Sequence, residues 1–509
     1  MFWHVYLYLF LLHTLSLTWF GPNKTTTLAL AFENQTDHLA LLKFKESISS
    51  DPYRILDSWN ASTQFCNWHG WIGEYNLSSR VGQVWTELGE QSLGVFVFYF
   101  PLLVYLVIVL CVSHLFPRLD LGGVLLFVAC TIHFVWWLPL SVAPHIIILC
   151  IGVVRSDLGD TGIHNRVTCN SKHQRVTKLM LQGYKLHGYI SPYIGNLTCI
   201  RNLNLESNGF FGKIPQELGQ LLQLQGLFLS NNSFTGEIPT NLTNCSNLKV
   251  LRLYGNKLTG KIPTGIEIPP FIGNLSSLIG LGVGYNYLEG DIPQEICHLK
   301  NLTIMLLPVN NLSGTFPPCL HNMTSLTGIS APANSFGGSL PPDMFQTLPN
   351  LQVFEIGGNQ MLGKIPISIA NASTLTLFDI SSNHFVGQIP SLGNKLYGVS
   401  IAANNFGGQL PNLVGNLCSQ LSRLALGGNE ISGKVPAELG NLVNLVLLNN
   451  RLEGTIPKTF GMFQKIQYLG LGGNRLSGNI PAFIGNLSQL YYIGMRGIQN
   501  GSGQIYRKI

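Results

Sequence analysis

An asparagine returns about every 24 residues through the last two-thirds of this 509-residue chain. No other feature constrains the fold as tightly. It falls at Asn208, Asn232, Asn256, Asn286, Asn310, Asn334, Asn359, Asn383, Asn404, Asn429, Asn450 and Asn474. Leucines stand eight, five and three residues before it, an apolar residue two after, Gly four after, and Ile-Pro or a near match six and seven after; LKVLRLYGNKLTGKIP (248–263) shows the whole unit. Alternating leucines suit a short strand with one buried face. A single coil cannot bury its leucines, so neighbouring coils must stack and their strands must form a parallel sheet. Where the strand turns away, the short asparagine amide can bond backbone groups of its own coil and of the adjacent one. Such groups left unpaired would cost on the order of 1–3 kcal/mol each. The reading is a stacked recognition scaffold in which no repeat carries reaction chemistry.

The second half of each unit is equally regular. Gly236 or Gly260 permits a backbone turn that a Cβ would hinder. The prolines at Pro215, Pro239, Pro263, Pro293 and Pro366 suit an edge or bend rather than a central ladder. This LxGxIP half resembles the plant-specific class of leucine-rich repeat found in receptor kinases, receptor-like proteins and polygalacturonase inhibitors. The expected fold class is an α/β solenoid, a plant-type leucine-rich repeat horseshoe of roughly 13 coils. At ~4.8 Å per strand its arc would be ~60 Å long. Repeats occupy residues 176–497, preceded by a helical N-terminal cap that an apolar insert interrupts.

Residues 1–31 read as a secretion signal, an apolar run ending in an A-x-A-like site at Ala29-Leu30-Ala31. Sequons open at Asn34, Asn60, Asn196, Asn231, Asn241, Asn244, Asn274, Asn301, Asn311, Asn322, Asn371 and Asn486, as expected of a glycosylated extracellular surface. Several recur in a GNLT or GNLS phrase on the convex side, which would leave the concave face bare. A net charge of +6 on 11% charged residues is mild and scattered. No Lys/Arg cluster points to nucleic acid.

Residues 32–70 form the first part of the cap. Asp37 can cap a helix with apolar positions at Leu39, Leu42, Phe44 and Ile48. The segment resembles the N-terminal cap of plant leucine-rich repeat receptors, whose C-x-W-x-G runs straight on into V-x-C. Here CNWHG ends at Gly70 and VTC begins at Val167, the start of the second part (167–175). The resemblance implies a Cys66–Cys169 disulfide. The 96 residues between, 71–166, contain two long uncharged stretches, 91–117 and 121–154. We read the insert as a retained intron: Gly70-Trp71 can hold a GT donor, Arg166 an AG acceptor, and T-rich sequence translates into apolar residues. The rival is a membrane hairpin, with association through 91–154.

Cys199, Cys245, Cys297, Cys319 and Cys418 stand one per coil at most and read as buried fillers without metal-ligand spacing. Tyr184 takes the asparagine position of the first coil. Asn256 to Asn286 spans 30 residues, six more than the period, which predicts a bulge near TGIEIPP (264–270), whereas Asn383–Asn404 and Asn429–Asn450 are three short. In the second of these, NLVNLVLLNNRL fits two registers. Residues 498–509 read as an irregular, truncated tail.

Cap and repeats together resemble plant leucine-rich repeat receptor-like serine/threonine kinases, in the immune group that includes the elongation-factor receptor and the rice bacterial-blight receptor. The resemblance implies a membrane helix and kinase after the repeats, yet this chain has no kinase loop, HRD or DFG. GLGVGY (280–285) lies on a repeat strand and is scaffold. Neither catalytic residues nor cofactors are expected. Ligands would meet concave strand positions, of which Glu206, Phe228, Arg252, Tyr254, Tyr285, Glu355, Asp379, Arg423 and Tyr468 are the candidates. The expected function is an extracellular ectodomain binding a peptide or protein in defence signalling, with a co-receptor kinase as possible partner. The alternatives are a secreted inhibitor of pathogen cell-wall-degrading enzymes and a non-functional gene-model fragment.

Overall fold

The computed structural model describes residues 35–68, 166–263, 275–410, 421–437, 439, 442–462, 465–479, 481–495 and 506–507. These residues belong to one compact unit, formed by Met1–Gly70 together with Ile163–Ile509. Nearly all of the expected insert, its stretch 91–154, the 264–270 bulge, Asn34, Asn274 and Cys418 lie outside the described residues. Among the described residues no helix is long and apolar enough to cross a membrane.

A sixteen-stranded sheet runs from Val167–Cys169 to Tyr506–Arg507, taking one strand from each coil in chain order. Its interior pairs are parallel and residue-for-residue in register, as in Gly226↔Val250, Leu227↔Leu251 and Phe228↔Arg252. The leucine spacing accounts for this. Leu227, Leu251, Leu281 and Met305 occupy the same position in successive coils and are buried behind the sheet. Two residues past each asparagine, a second row fills the core, with Phe210 and Phe234 stacked at 6.2 Å and Phe385 and Phe406 at 6.2 Å.

The recurring asparagine bonds both ways, as its donors and acceptor allow. Asn256 Nδ2 donates to the carbonyls of Leu253 and Leu229, both at 3.0 Å, while its Oδ1 accepts the Phe234 N–H at 3.1 Å. Asn286, Asn383 and Asn474 repeat the arrangement, so each coil is bonded to its predecessor.

The LxG half does more than turn. It forms short parallel strands of its own, such as Gly209–Lys213 beside Ser233–Gly236. Gly236 and Gly260 both have φ +77, and a Cβ on Gly260 would sit 2.7 Å from Glu237. Pro215, Pro239, Pro293 and Pro366 then lead into five-residue 3-10 helices on the side away from the large sheet. The short coil from Asn383 to Asn404 loses its residues on that outer side. Residues 388–397 contain no helix, and the strands at Leu377–Asp379 and Gly398–Ser400 stay in register. The ambiguous NLVNLVLL segment resolves as strand Asn444–Val446, with Leu445 and Leu447 buried.

Three expectations need correction. Asp37 lies inside the helix at 35–46 rather than capping it. Its carboxylate pairs with Arg175 through two 2.9 Å contacts and accepts the Val176 N–H at 2.8 Å, fully buried. It therefore fastens the first part of the cap to the second, beside the disulfide Cys66–Cys169. Next, Cys297 and Cys319 are bonded to each other with Cα atoms 5.9 Å apart. One cysteine per coil is compatible with pairing because stacking sets the outer helices Gln294–His298 and Pro318–Asn322 of consecutive coils side by side. Finally, the tail contains a strand, Tyr506–Arg507, antiparallel to Tyr492–Gly494, where it takes up backbone groups of the last parallel strand.

Candidate functional site

The exposed positions of the large sheet lie six, four and two residues before each asparagine, and they gather the candidate side chains into three groups. Glycine, alanine or serine fills many of the other positions, including Gly280, Gly282, Gly328 and Ala425.

The first group sits on the strands from Asn202–Asn204 to Gly280–Gly282. The Arg252 guanidinium lies 5.0 Å over the Phe228 ring, placed there because Phe228 and Arg252 are register partners. Burial raises the Glu206 carboxyl, while a hydrogen bond from Ser230 and the Arg252 charge pull it back. Tyr254 and Tyr285 pack at 4.7 Å. Burial raises both phenols; the Tyr254 hydroxyl donates to Tyr285, and acceptance of that bond offsets part of the rise on Tyr285. Tyr285 stands one residue before its asparagine, not on the strand proper. Its φ of +52 puts it on the rim where the backbone turns.

The second group is acidic. Ser330, Glu355, Asp379 and Ser400 are consecutive register partners on four strands. Glu355 and Asp379 are 2% and 4% exposed, so they are not open contact positions as the alternation suggested. Alternation assigns a face but ignores the strands on either side, and here flanking hydroxyls close over the carboxyls. Asp379 Oδ1 accepts the Ser381 N–H at 2.9 Å and the Ser381 hydroxyl at 2.6 Å. Burial pushes Glu355 up to about 8, Ser330 opposes this and the Asp379 charge adds to it. Asp379 is also raised by burial, against the bonds from Ser381 and Ser400. Glu355 therefore holds its proton at neutral pH.

The third group lies toward the last strands. Tyr468 and Tyr492 are register partners whose rings stack at 4.2 Å. Burial pushes the Tyr468 phenol up to about 12, helped by Tyr492, to which its hydroxyl donates. Arg423 lies 5.8 Å over the ring of Tyr397. Three contributors escaped the sequence reading. Ser230 is a neutral serine with no sign of its carboxylate partner. Tyr397 precedes its strand by one residue, outside the counted positions. Tyr492 belongs to the coil that lacks an asparagine, although Leu487, Leu490 and Ile493 mark its register.

Among the described residues no group of His, Cys, Asp and Glu could hold a metal ion. The arrangement offers graded polarity along one face, cationic and aromatic at both ends and protonated acid between.

Comparison with known proteins agrees with the repeat fold. The leucine rich repeat N-terminal domain matches residues 34–70, a leucine-rich repeat region matches 165–389, and a single leucine rich repeat matches 465–487. The LRR receptor-like serine/threonine-protein kinase EFR of Arabidopsis thaliana is 54% identical over 44 residues, 9% of this chain and 4% of that protein. The solved ectodomain of the Arabidopsis thaliana receptor kinase GASSHO1/SCHENGEN3, in complex with CASPARIAN STRIP INTEGRITY FACTOR 2, is 31% identical with a TM-score of 0.59, over 65% of this chain and 43% of that one. The Arabidopsis receptor kinase HAESA, in complex with the peptide hormone IDA and the co-receptor SERK1, is 26% identical with a TM-score of 0.55, over 65% of this chain and 63% of that one. This chain thus spans less than two-thirds of the length of each.

Proposed function

We infer, from the premise that this chain is a leucine-rich repeat solenoid built like the ectodomains of plant receptor kinases, that its concave face binds an extracellular peptide or protein. The carrying observation is that arginine and aromatic side chains, the types that anchor interfaces, lie in mutual contact at both ends of one continuous sheet. Two disulfides fit an oxidising, secretory compartment. The peptide complexes of GASSHO1/SCHENGEN3 and HAESA support a peptide ligand, and the HAESA complex supports a co-receptor kinase as second partner. The extension to defence signalling rests on the cap and repeat phrases that resemble the immune group of receptor kinases. The chain acts by binding.

The test is to secrete the chain in leaf tissue, apply bacterial and fungal peptide fractions, and record the oxidative burst. A change in response that needs the chain and is abolished by Arg252→Ala with Tyr285→Ala supports the defence reading. A response unaltered by the chain, in tissue where the protein accumulates, contradicts it.

A further inference from the structure

Asn231 differs from the sequons on the outer side of the coils. Asn196, Asn241, Asn244, Asn322, Asn371 and Asn486 lie in the short 3-10 helices remote from the large sheet. Asn231 immediately precedes the coil asparagine Asn232. Its exposed residue has φ +55, and its N–H donates to the Tyr254 carbonyl at 2.7 Å. The Asn232 amide is committed to the carbonyls of Leu205, Leu229 and Ser230, so of the two adjacent asparagines only Asn231 presents its amide at the surface.

The Asn231 side chain also has a direction. A Cβ built on Gly255 would lie 2.6 Å from Asn231 Oδ1, so the amide leans along the rim over the next coil. Asn449 leans on Gly473 in the same way. The following residue in this row is Tyr285, two coils on and therefore about 10 Å away. Gly255 offers no side chain between them, and Tyr254, the partner of Tyr285, is the residue whose carbonyl holds the Asn231 backbone.

We infer that Asn231 carries an N-linked glycan that stands on the ligand-side rim and screens Tyr254 and Tyr285. In the transfer, Asn231 Nδ2 bonds to the anomeric carbon of a lipid-linked oligosaccharyl diphosphate. The bond from that carbon to the phosphate oxygen breaks, the amide nitrogen gives up one proton, and the lipid diphosphate departs with the bonding pair. Asn231-Asn232-Ser233 supplies the required hydroxyl at its third residue. The concave face is then not bare: a bulky, hydrated group borders its first aromatic pair and limits approach from that rim.

The inference rests on the extracellular reading, and one experiment separates the two. The full chain is secreted from plant cells, its glycopeptides are mapped by mass spectrometry, and hydroxyl-radical footprinting is compared with Asn231→Gln and with Ser233→Ala, which keeps Asn231 but removes the sequon. The expected result is an occupied Asn231 and a several-fold rise in oxidation of Tyr254 and Tyr285 in both variants, with Tyr468 unchanged. A bare Asn231 in a protein glycosylated at Asn241 or Asn301 overturns this inference alone, as does unchanged oxidation of the pair. A chain without any N-glycan overturns the extracellular reading with it.

Discussion

A buried carbonyl at the end of each strand has no ladder partner of its own, and the coil asparagine supplies one. Asn256 alone satisfies three backbone groups in two coils. Asn256→Ala should therefore cost on the order of 3 kcal/mol, because buried groups are left unpaired as well as unbonded; urea unfolding of the variant checks this, and Asn247→Ala, on an exposed residue, should cost far less. Glu355 gives a pH signature. Its folded value of about 8 lies above the unfolded carboxyl near 4.3, so the folded chain keeps a proton that the unfolded chain releases. The stability that Glu355 contributes should fall as pH rises from about 4.3 to about 8 and level off beyond. Thermal melts across that range should show the decline, and Glu355→Gln should make it shallower, leaving the part that comes from Asp379, and melt higher than the parent at pH 8. The asparagine bonds were legible in the sequence because spacing alone places them. The closure over Glu355 and Asp379 was not, since it depends on Ser381 two residues on and on Ser330 and Ser400 of neighbouring strands, whose hydroxyls carry no periodic signal.

At the scale of elements, the cap and the inter-coil bridge hold what coil stacking does not. Arg175→Met should destabilise the amino-terminal coils by about 3–5 kcal/mol, because it strands the buried Asp37 charge. Hydrogen exchange should localise that loss to residues before about Asn232, since each coil contacts only its neighbours. Replacing Cys297 and Cys319 by serine should cost roughly 3 kcal/mol, the loop-closure contribution of a 22-residue ring, and should raise exchange in those two coils. The strands, their register and the glycine turns could all be read from the repeat. The Cys297–Cys319 bridge was hidden by treating each coil separately, and the 24-residue period sets position 321 rather than Cys319 beside Cys297, so only the packing of the two outer helices shows the pair.

For the whole molecule, the claim is that one sheet face recognises a ligand while the outer surface is scaffold. The three side-chain groups on that face were located largely from strand positions, and their contacts emerged only when register set Phe228 beside Arg252 and Tyr468 beside Tyr492. The most direct test is selection of a displayed random peptide library on the immobilised, secreted chain, followed by titration of enriched peptides against variants. The account predicts that Arg252→Ala or Tyr285→Ala weakens binding at least about tenfold, some 1.4 kcal/mol. Glu295→Ala, on the outer helix Gln294–His298, should leave it unchanged. Peptides that tolerate every concave substitution and are lost with the outer one would contradict it.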